Sequence, residues 1–166
     1  MRLALIILTM AAVCLSCKKD NPGAGEKVEI YLLKTFQPIS GKCQVDPMAS
    51  VLQDSPTIKN EDILEYSESE YKFKLTISAY QKVRAFQNGS PFAVTVDQHV
   101  IYYGFFILPI TSASCDNSIT MDLGWNSPNA IFVKLGYPSL LPGASIDDQR
   151  NNPKLIATLK KQGKLK

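Results

Sequence analysis

The sequence predicts an α+β fold: a mixed, mainly antiparallel sheet with a β-α-β-β core and a C-terminal helix packed on one face. Three observations predict it. Several short segments alternate apolar and polar residues, as strands with one buried face do. Two segments begin with a helix-capping residue and then space apolar residues three or four positions apart. About 150 residues follow Cys17, a length that suits one domain, and no segment repeats another, so residues 27–166 are predicted to form a single domain.

The first predicted elements are a strand, a loop and a short helix. Residues 26–34 alternate apolar and polar side chains, which favours a strand. Residues 40–57 contain a glycine and two prolines, which favour a loop. Asn60 is followed by two acidic residues, so we expect it to cap a short helix that carries Ile63 and Leu64.

The next pattern is the clearest in the chain. Residues 71–77 alternate aromatic or aliphatic side chains with lysine and threonine, which predicts a strand with one face in water. Ser78 is expected to cap the helix that follows. In that helix Ala79, Val83 and Phe86 fall on one side, which predicts that this side is buried.

A hairpin is predicted after this helix. Residues 92–96 favour a strand, and Asp97-Gln98 is expected to turn the chain directly into a second strand over residues 99–108. Strand, helix, strand and hairpin in this order predict a right-handed crossover followed by an antiparallel neighbour. Residues 71–108 would therefore form the β-α-β-β core.

Two strands and a helix are predicted in the last third of the chain. Residues 118–123 and 130–135 favour strands on either side of a turn. Asn152 is expected to cap a helix with Pro153 at its first position, and Gly163 is expected to end it. This is the C-terminal helix of the predicted fold.

The start of the chain has the layout of a secretory signal. Arg2 precedes an almost unbroken apolar run over residues 3–15, and the small Ser16 stands before Cys17. The run is too short to span a membrane, which takes about 20 residues. A signal peptide without lipidation is the alternative, but Leu15-Ser16-Cys17 resembles a bacterial lipobox.

The resemblance to lipobox proteins implies an address and an anchor. Residues 1–16 would be removed, and the Cys17 thiol would carry a lipid that holds the protein on a membrane. Residues 17–26 are polar and rich in turn formers, so they would be a flexible tether. Lys18, rather than an aspartate, follows the cysteine that would carry the lipid, and this pattern resembles that of lipoproteins sorted to the outer membrane. The domain would face either the periplasm or the surface.

Two cysteines remain once the signal and the lipid account for Cys14 and Cys17. Cys43 and Cys115 are an even pair in a compartment that permits disulfides, which favours a bridge between them. A reactive thiol or a two-cysteine metal site is the alternative. His99 is the only histidine that could assist either, so no metal site and no cofactor are expected.

Residues 71–108 resemble a known module. Their strand-helix-strand order and the hairpin over residues 91–104 are similar to the periplasmic head of the Sec translocon accessory subunit. The sequence departs from that module at Gln98, where the usual turn glycine is missing, and it lacks the membrane helices of that subunit. The arrangement from the lipobox to the basic final helix is similar to small lipoproteins of Bacteroidetes-type envelopes, a resemblance that implies no activity.

Composition and motifs argue against several function classes. Lys and Arg total 18 against 15 Asp and Glu, without the concentrated basic face that a nucleic-acid partner needs. His99 has no nucleophile motif around it, so no catalytic residue is assigned. An envelope hydrolase that uses two carboxylates is the alternative. Its candidate residues would be Glu61, Asp62, Glu68, Glu70, Asp147 and Asp148.

In residues 101–108, both the odd-numbered and the even-numbered positions carry apolar or aromatic residues, so a strand here would be apolar on both faces. It is expected to be a central strand covered on both faces. The alternative is that one aromatic face stays open and binds a protein, peptide or glycan of the envelope. That surface would consist of Tyr102, Tyr103, Phe105, Phe106 and Trp125. Gly104 would mark a bulge or the close approach of another backbone.

These observations together predict a lipid-anchored protein of the cell outer membrane that works as a non-catalytic binding or assembly module. Its expected partners are the membrane, through the lipid, and an envelope protein, peptide or glycan.

Overall fold

The computed structural model describes residues 25–108, 112–123 and 128–166. Residues 1–24, with the predicted signal, Cys17 and most of the tether, lie outside the described residues, as does Trp125. The strands are β1 (Val28–Thr35), β2 (Val51–Leu52), β3 (Ile63–Ser67), β4 (Lys72–Leu75), β5 (Ser90–Val96), β6 (His99–Ile107), β7 (Cys115–Leu123) and β8 (Ala130–Tyr137). The α-helices are α1 (Ile77–Arg84) and α2 (Pro153–Lys161), and short 3-10 turns lie at Pro47–Ala49 and Asn60–Asp62.

All the described strands belong to one mixed, eight-stranded sheet in the order β2-β1-β5-β6-β7-β8-β4-β3. Every pairing among them is antiparallel except that of β6 with β7, which is parallel. Both α-helices pack on the same face. The predicted α+β fold, with a mainly antiparallel sheet and the final helix on one face, is confirmed.

The predicted right-handed crossover is wrong. Strand β4, helix α1 and strands β5 and β6 follow one another along the chain as expected, but β6, β7 and β8 lie between β4 and β5 in the sheet. The pairings also make β4 and β5 run in opposite directions. The reason is that both edges of β5 are taken by antiparallel neighbours, β1 and β6, so β4 pairs with β3 and β8 instead.

The predicted helix after Asn60 is also wrong. Only one 3-10 turn forms there, and Ile63 and Leu64 belong to strand β3. Ile63 is fully buried opposite Leu75 of β4, so cross-strand packing prevails over a weak local signal. The Asn60 side chain accepts a hydrogen bond from the backbone N–H of Val28 at 3.0 Å, and so connects two parts of the chain rather than capping a helix.

Helix α1 begins two residues earlier than the sequence predicts. Thr76 is its N-cap, and the Thr76 hydroxyl accepts from the N–H of Ala79 at 3.2 Å. Ser78 therefore lies inside the helix, and Ile77, predicted as a strand residue, is 69% exposed on its first turn. Ala79 and Val83 are buried, which confirms the predicted inner side of the helix, but Phe86, predicted on the same side, lies beyond the last helical residue, Arg84.

The β5–β6 hairpin and helix α2 are confirmed in detail. Asp97 and Gln98 both have positive φ angles, 52° and 63°, which is the two-residue turn that matches the twist of paired strands. The Asn152 side chain accepts from the N–H of Lys154 at 2.9 Å and caps α2. Gly163 follows the helix with φ of 68°, as a terminating glycine does.

Buried side chains form a cluster on each face of the sheet. The larger one, the main core, lies under both helices and includes Phe92, Phe106 and Leu155. The smaller one, the second core, lies on the opposite face and includes Leu33 and Phe105. Strand β6 contributes aromatic side chains to both cores, which confirms that it is a central strand covered on its two faces.

The predicted disulfide is present in the second core. Cys43 and Cys115 are bonded, and their Cα atoms lie 5.1 Å apart. Cys43 belongs to the long connection after β1, and Cys115 is the first residue of β7. The bridge therefore attaches that connection to the middle of the sheet.

Gly104 allows β6 and β7 to approach each other. A Cβ atom at this position would overlap the carbonyl oxygen of Ile119 on β7 and would come within 2.6 Å of the Phe92 ring. The Phe92 ring is fully buried, so it has no space to retreat. The sequence-based expectation that Gly104 marks a close approach of another backbone is confirmed.

Substitution Gly104→Ala is expected to lower the free energy of unfolding by about 3 kcal/mol, because overpacking would push β6 and β7 apart. Urea denaturation followed by circular dichroism measures the change. Gly25→Ala is the matched control, since nothing lies near a Cβ at that position and its φ is not positive. A Gly104→Ala protein as stable as the control would contradict this reading of the β6–β7 contact.

Candidate functional site

A cleft of about 210 Å³ lies where β6 and β7 separate. The parallel register joins Gly104–Ile107 of β6 to Ile119–Asp122 of β7. The cleft lies beside the earlier residues of both strands, Ile101–Tyr103 and Asn117–Ser118. We call it the Tyr102 cleft, because Tyr102 is its most buried aromatic residue.

The Tyr102 cleft cuts through the plane of the sheet. Tyr102 packs in the main core, whereas its neighbour Tyr103 packs against the second core. Two connecting segments complete the lining, residues 44–47 on the side of the second core and residues 145–149 on the side of the main core. Each face of the sheet therefore contributes one loop to the cleft.

The disulfide positions the first of these loops. Gln44 and Val45 directly follow Cys43, and both line the cleft. Val45 is buried in the second core together with Cys115. Cys115 stands two residues before Asn117, which also lines the cleft. The covalent bond therefore holds one loop wall and one strand wall of the cleft together.

Arg150 positions the second loop. Its guanidinium donates to both carboxylate oxygens of Asp148, at 2.8 and 2.7 Å, and to the Val133 carbonyl of β8 at 3.3 Å. It also lies over the Tyr71 ring, 3.6 Å from the centroid, which is a cation–π contact. Hydrogen bonds from Arg150 lower the pKa of the Asp148 carboxyl. This clamp holds residues 145–149 against the sheet.

The Tyr102 hydroxyl is buried and finds no hydrogen-bond partner among the described residues. The residue is 5% exposed, and burial raises the pKa of its phenol well above the usual value, so the group stays neutral. Tyr66, another buried tyrosine of the main core, is in contrast satisfied: its hydroxyl donates to the Arg150 carbonyl at 2.8 Å and contacts the Asn151 side-chain oxygen at 3.1 Å. An unpaired buried hydroxyl costs about 1–3 kcal/mol.

The other polar groups of the cleft are mostly neutral. They comprise the amides of Gln44, Asn117 and Gln149 and the hydroxyls of Ser118 and Ser145. Asp147 is the only charged side chain among the described lining residues, and it accepts a hydrogen bond from the Gln149 amide at 2.8 Å. The cleft therefore offers donors and acceptors to a ligand but almost no net charge.

The aromatic residues that the sequence indicated as a binding surface divide into two groups. Phe105 and Phe106 are buried in the second and main cores, so they cannot form a docking surface, and that alternative is wrong for them. Tyr102 and Tyr103 line the cleft. Trp125 lies outside the described residues.

Three of the residues that the sequence offered for catalysis have surroundings that do not favour that role. His99 is exposed at the β5–β6 turn, where its Nδ1 lies 2.9 Å from the Asp97 carbonyl oxygen. The pKa values of Glu70 and Asp148 are lowered by their partners Lys72 and Arg150, the opposite of what a general acid needs. In the described part of the chain, no three His, Cys, Asp or Glu side chains are grouped so that they could hold a metal ion.

Most of the cleft was not predicted from the sequence, because its loop walls come from segments with no regular pattern. One signal was present: a polar residue follows each cysteine of the pair, Gln44 after Cys43 and Asn117 two positions after Cys115. Once the bridge is predicted, these side chains must lie near each other. The polar residues around a disulfide could thus have indicated two of the residues that line the cleft.

Comparison with known proteins adds no assignment. No family model matches the sequence, and neither a curated protein nor a solved structure is detectably similar to the chain. The Tyr102 cleft and its chemistry therefore carry the functional argument.

Substitution Tyr102→Phe is expected to raise the free energy of unfolding of the unliganded protein by about 1 kcal/mol, because it removes an unsatisfied buried hydroxyl and keeps the ring. Tyr66→Phe is the matched control and is expected to lower stability by about 1 kcal/mol, because it removes a satisfied hydroxyl. Urea denaturation of both variants checks this. If Tyr102→Phe destabilised the protein as Tyr66→Phe does, the hydroxyl would have a partner after all.

Proposed function

We propose that this protein is a lipid-anchored cell-envelope protein that acts as a non-catalytic binding module, with the Tyr102 cleft as its ligand site. The observation that carries the proposal is the lining of the cleft, which brings the amides of Gln44 and Asn117 and the half-buried ring of Tyr103 to one opening. Side-chain amides offer both donors and acceptors to a ligand.

The chemistry of the cleft favours binding over catalysis. Catalytic sites bring together titratable groups with shifted pKa values. Asp147 is the only carboxylate among the described lining residues. A hydrolase that uses two carboxylates, the alternative from the sequence, would need a second one beside it. Asp148 is adjacent in sequence, but its carboxylate is bound by Arg150.

The anchor in this proposal is the lipid on Cys17. Residues 18–26 can extend at most about 30 Å, so the domain would stay close to the bilayer. No helix in the described ranges has the length and apolar character needed to cross a membrane. The lipobox-like Leu15-Ser16-Cys17 is the feature that supports attachment.

The structure supports a tether that ends firmly on the domain. The Glu26 carbonyl accepts a hydrogen bond from the Gln162 side chain at 2.6 Å, and its carboxylate accepts from the Thr158 hydroxyl at 3.0 Å. Both partners lie at the end of α2. Because Val28 pairs with Val96 just before the β5–β6 turn, the tether enters at the end of the sheet where β6 starts. The Tyr102 cleft lies at that same end of the sheet.

Substitution Cys17→Ser is expected to abolish lipid attachment and to move the protein from the membrane fraction to the soluble fraction after cell lysis. Fractionation, with mass spectrometry of the N-terminal peptide, measures both effects. Cys14→Ser is the matched control, because the proposed processing would remove that residue, and it should stay on the membrane. A Cys17→Ser protein that remained fully membrane-bound would contradict the proposed anchor.

Binding is tested on the full chain, labelled with ¹⁵N, by adding an envelope digest that contains both glycan fragments and peptides. We expect amide chemical shifts to move at residues 101–103 and 117–119, since these line the cleft. The shifts should be lost in Asn117→Leu and kept in Tyr80→Phe, a tyrosine of α1 outside the lining. Unchanged spectra for the unsubstituted protein would count against a binding module.

A further inference from the structure

We infer that the ligand of the Tyr102 cleft is an uncharged, hydroxyl-rich ring, such as one sugar residue of an envelope glycan. The inference rests on the proposed function, since it takes the cleft as the binding site. Size, charge and the arrangement of polar groups each lead to this class of ligand.

The size of the cleft sets the first limit. Its volume of about 210 Å³ corresponds to about seven water molecules at roughly 30 Å³ each. Sites for drug-sized ligands begin at about 300 Å³. The Tyr102 cleft therefore accommodates one small ring with its substituents but no larger cofactor.

The charge of the lining sets the second limit. Asp147 gives the cleft one negative charge, and neither lysine nor arginine is found among the described lining residues. A phosphate or carboxylate would enter without a compensating cation and close to Asp147, which is costly in a partly buried site. A cation would find a single carboxylate that already accepts from Gln149. An uncharged ligand meets neither problem.

The polar groups match the hydroxyls of a sugar. A side-chain amide presents a donor and an acceptor together, and so can bind two neighbouring hydroxyls. Gln44 and Asn117 line the cleft with such amides. The amide of Gln149, which also lines it, is engaged at both ends by hydrogen bonds within the protein. Tyr103, half-buried at the cleft, adds an aromatic surface for the C–H groups of the ring.

An extended peptide fits less well. A peptide that adds to a strand edge needs several residues of free edge to form its main-chain hydrogen bonds. The part of β6 that lines the cleft is only Ile101–Tyr103. Pro47 on one face and Ile146 on the other also border this short segment. We therefore favour a ring over a chain, and peptide binding becomes an outcome of the test.

The test uses the full chain, purified in a detergent without a sugar headgroup, and saturation-transfer NMR. The probes are glucose, galactose, mannose, xylose and N-acetylglucosamine, each compared with trialanine and inorganic phosphate. At least one sugar should bind with a dissociation constant of the order of 1 mM, whereas trialanine and phosphate should not. Gln44→Leu and Asn117→Leu should each weaken sugar binding at least tenfold, and Tyr80→Phe should change it less than twofold.

The outcomes separate this inference from the proposed function. Binding of trialanine at residues 101–103, with no sugar bound, would overturn the sugar assignment and keep the cleft as a binding site. Sugar binding that Gln44→Leu and Asn117→Leu leave unchanged would also overturn the assignment, because the ligand would then lie elsewhere. If no probe binds and the envelope digest leaves the spectra unchanged, both proposals fail.

Discussion

The short parallel pairing of β6 with β7 is the contact on which the rest of the structure depends. On one side of it lie β2, β1, β5 and β6, and on the other lie β7, β8, β4 and β3, each set paired in antiparallel fashion. Among the described strands, the two halves of the sheet are thus paired with each other only where Gly104–Ile107 of β6 lies beside Ile119–Asp122 of β7. The absence of a side chain at Gly104 permits this contact, because a Cβ there would overlap the Ile119 carbonyl.

The Tyr102 cleft is a consequence of joining two half-sheets in this way. The hydrogen-bonded seam closes one end of the boundary, and the Cys43–Cys115 bridge ties the connection after β1 to β7 near the other end. Between these two ties the strands separate, and residues 101–103 lose β7 as a neighbour. Polar groups that a continuous sheet would have excluded can therefore line an opening in its centre. The main core still covers both halves, so the sheet keeps its stability around the opening.

How far the sequence predicts this protein depends on the range of the interactions involved. The strand alternation, the Asn152 cap and the positive-φ turn at Asp97-Gln98 are local, and the sequence predicts each of them correctly. The pairing of β4 with β8 is decided by which strand edges remain free, and a local pattern holds no information on that. The local pattern of β6 likewise indicated Tyr102 and Tyr103 as candidate binding residues. It could not indicate the loop residues that meet them, because those contacts are distant in sequence. Lipidation at Cys17 stays a prediction.

The order of strands has a consequence for how the domain is made. Along the chain, successive antiparallel pairs alternate between the two halves: β1 and β2 belong to the first, β3 and β4 to the second, β5 and β6 to the first again, and β7 and β8 to the second. Neither half is a continuous segment of the chain. The first pair of strands in each half must wait for its second pair until a pair of the other half has been added in between. Contacts so distant in sequence make folding slow. A chain cut at any point between the pairs would lose strands from at least one half and expose its core, which makes the domain an indivisible unit for truncation and for evolution by recombination.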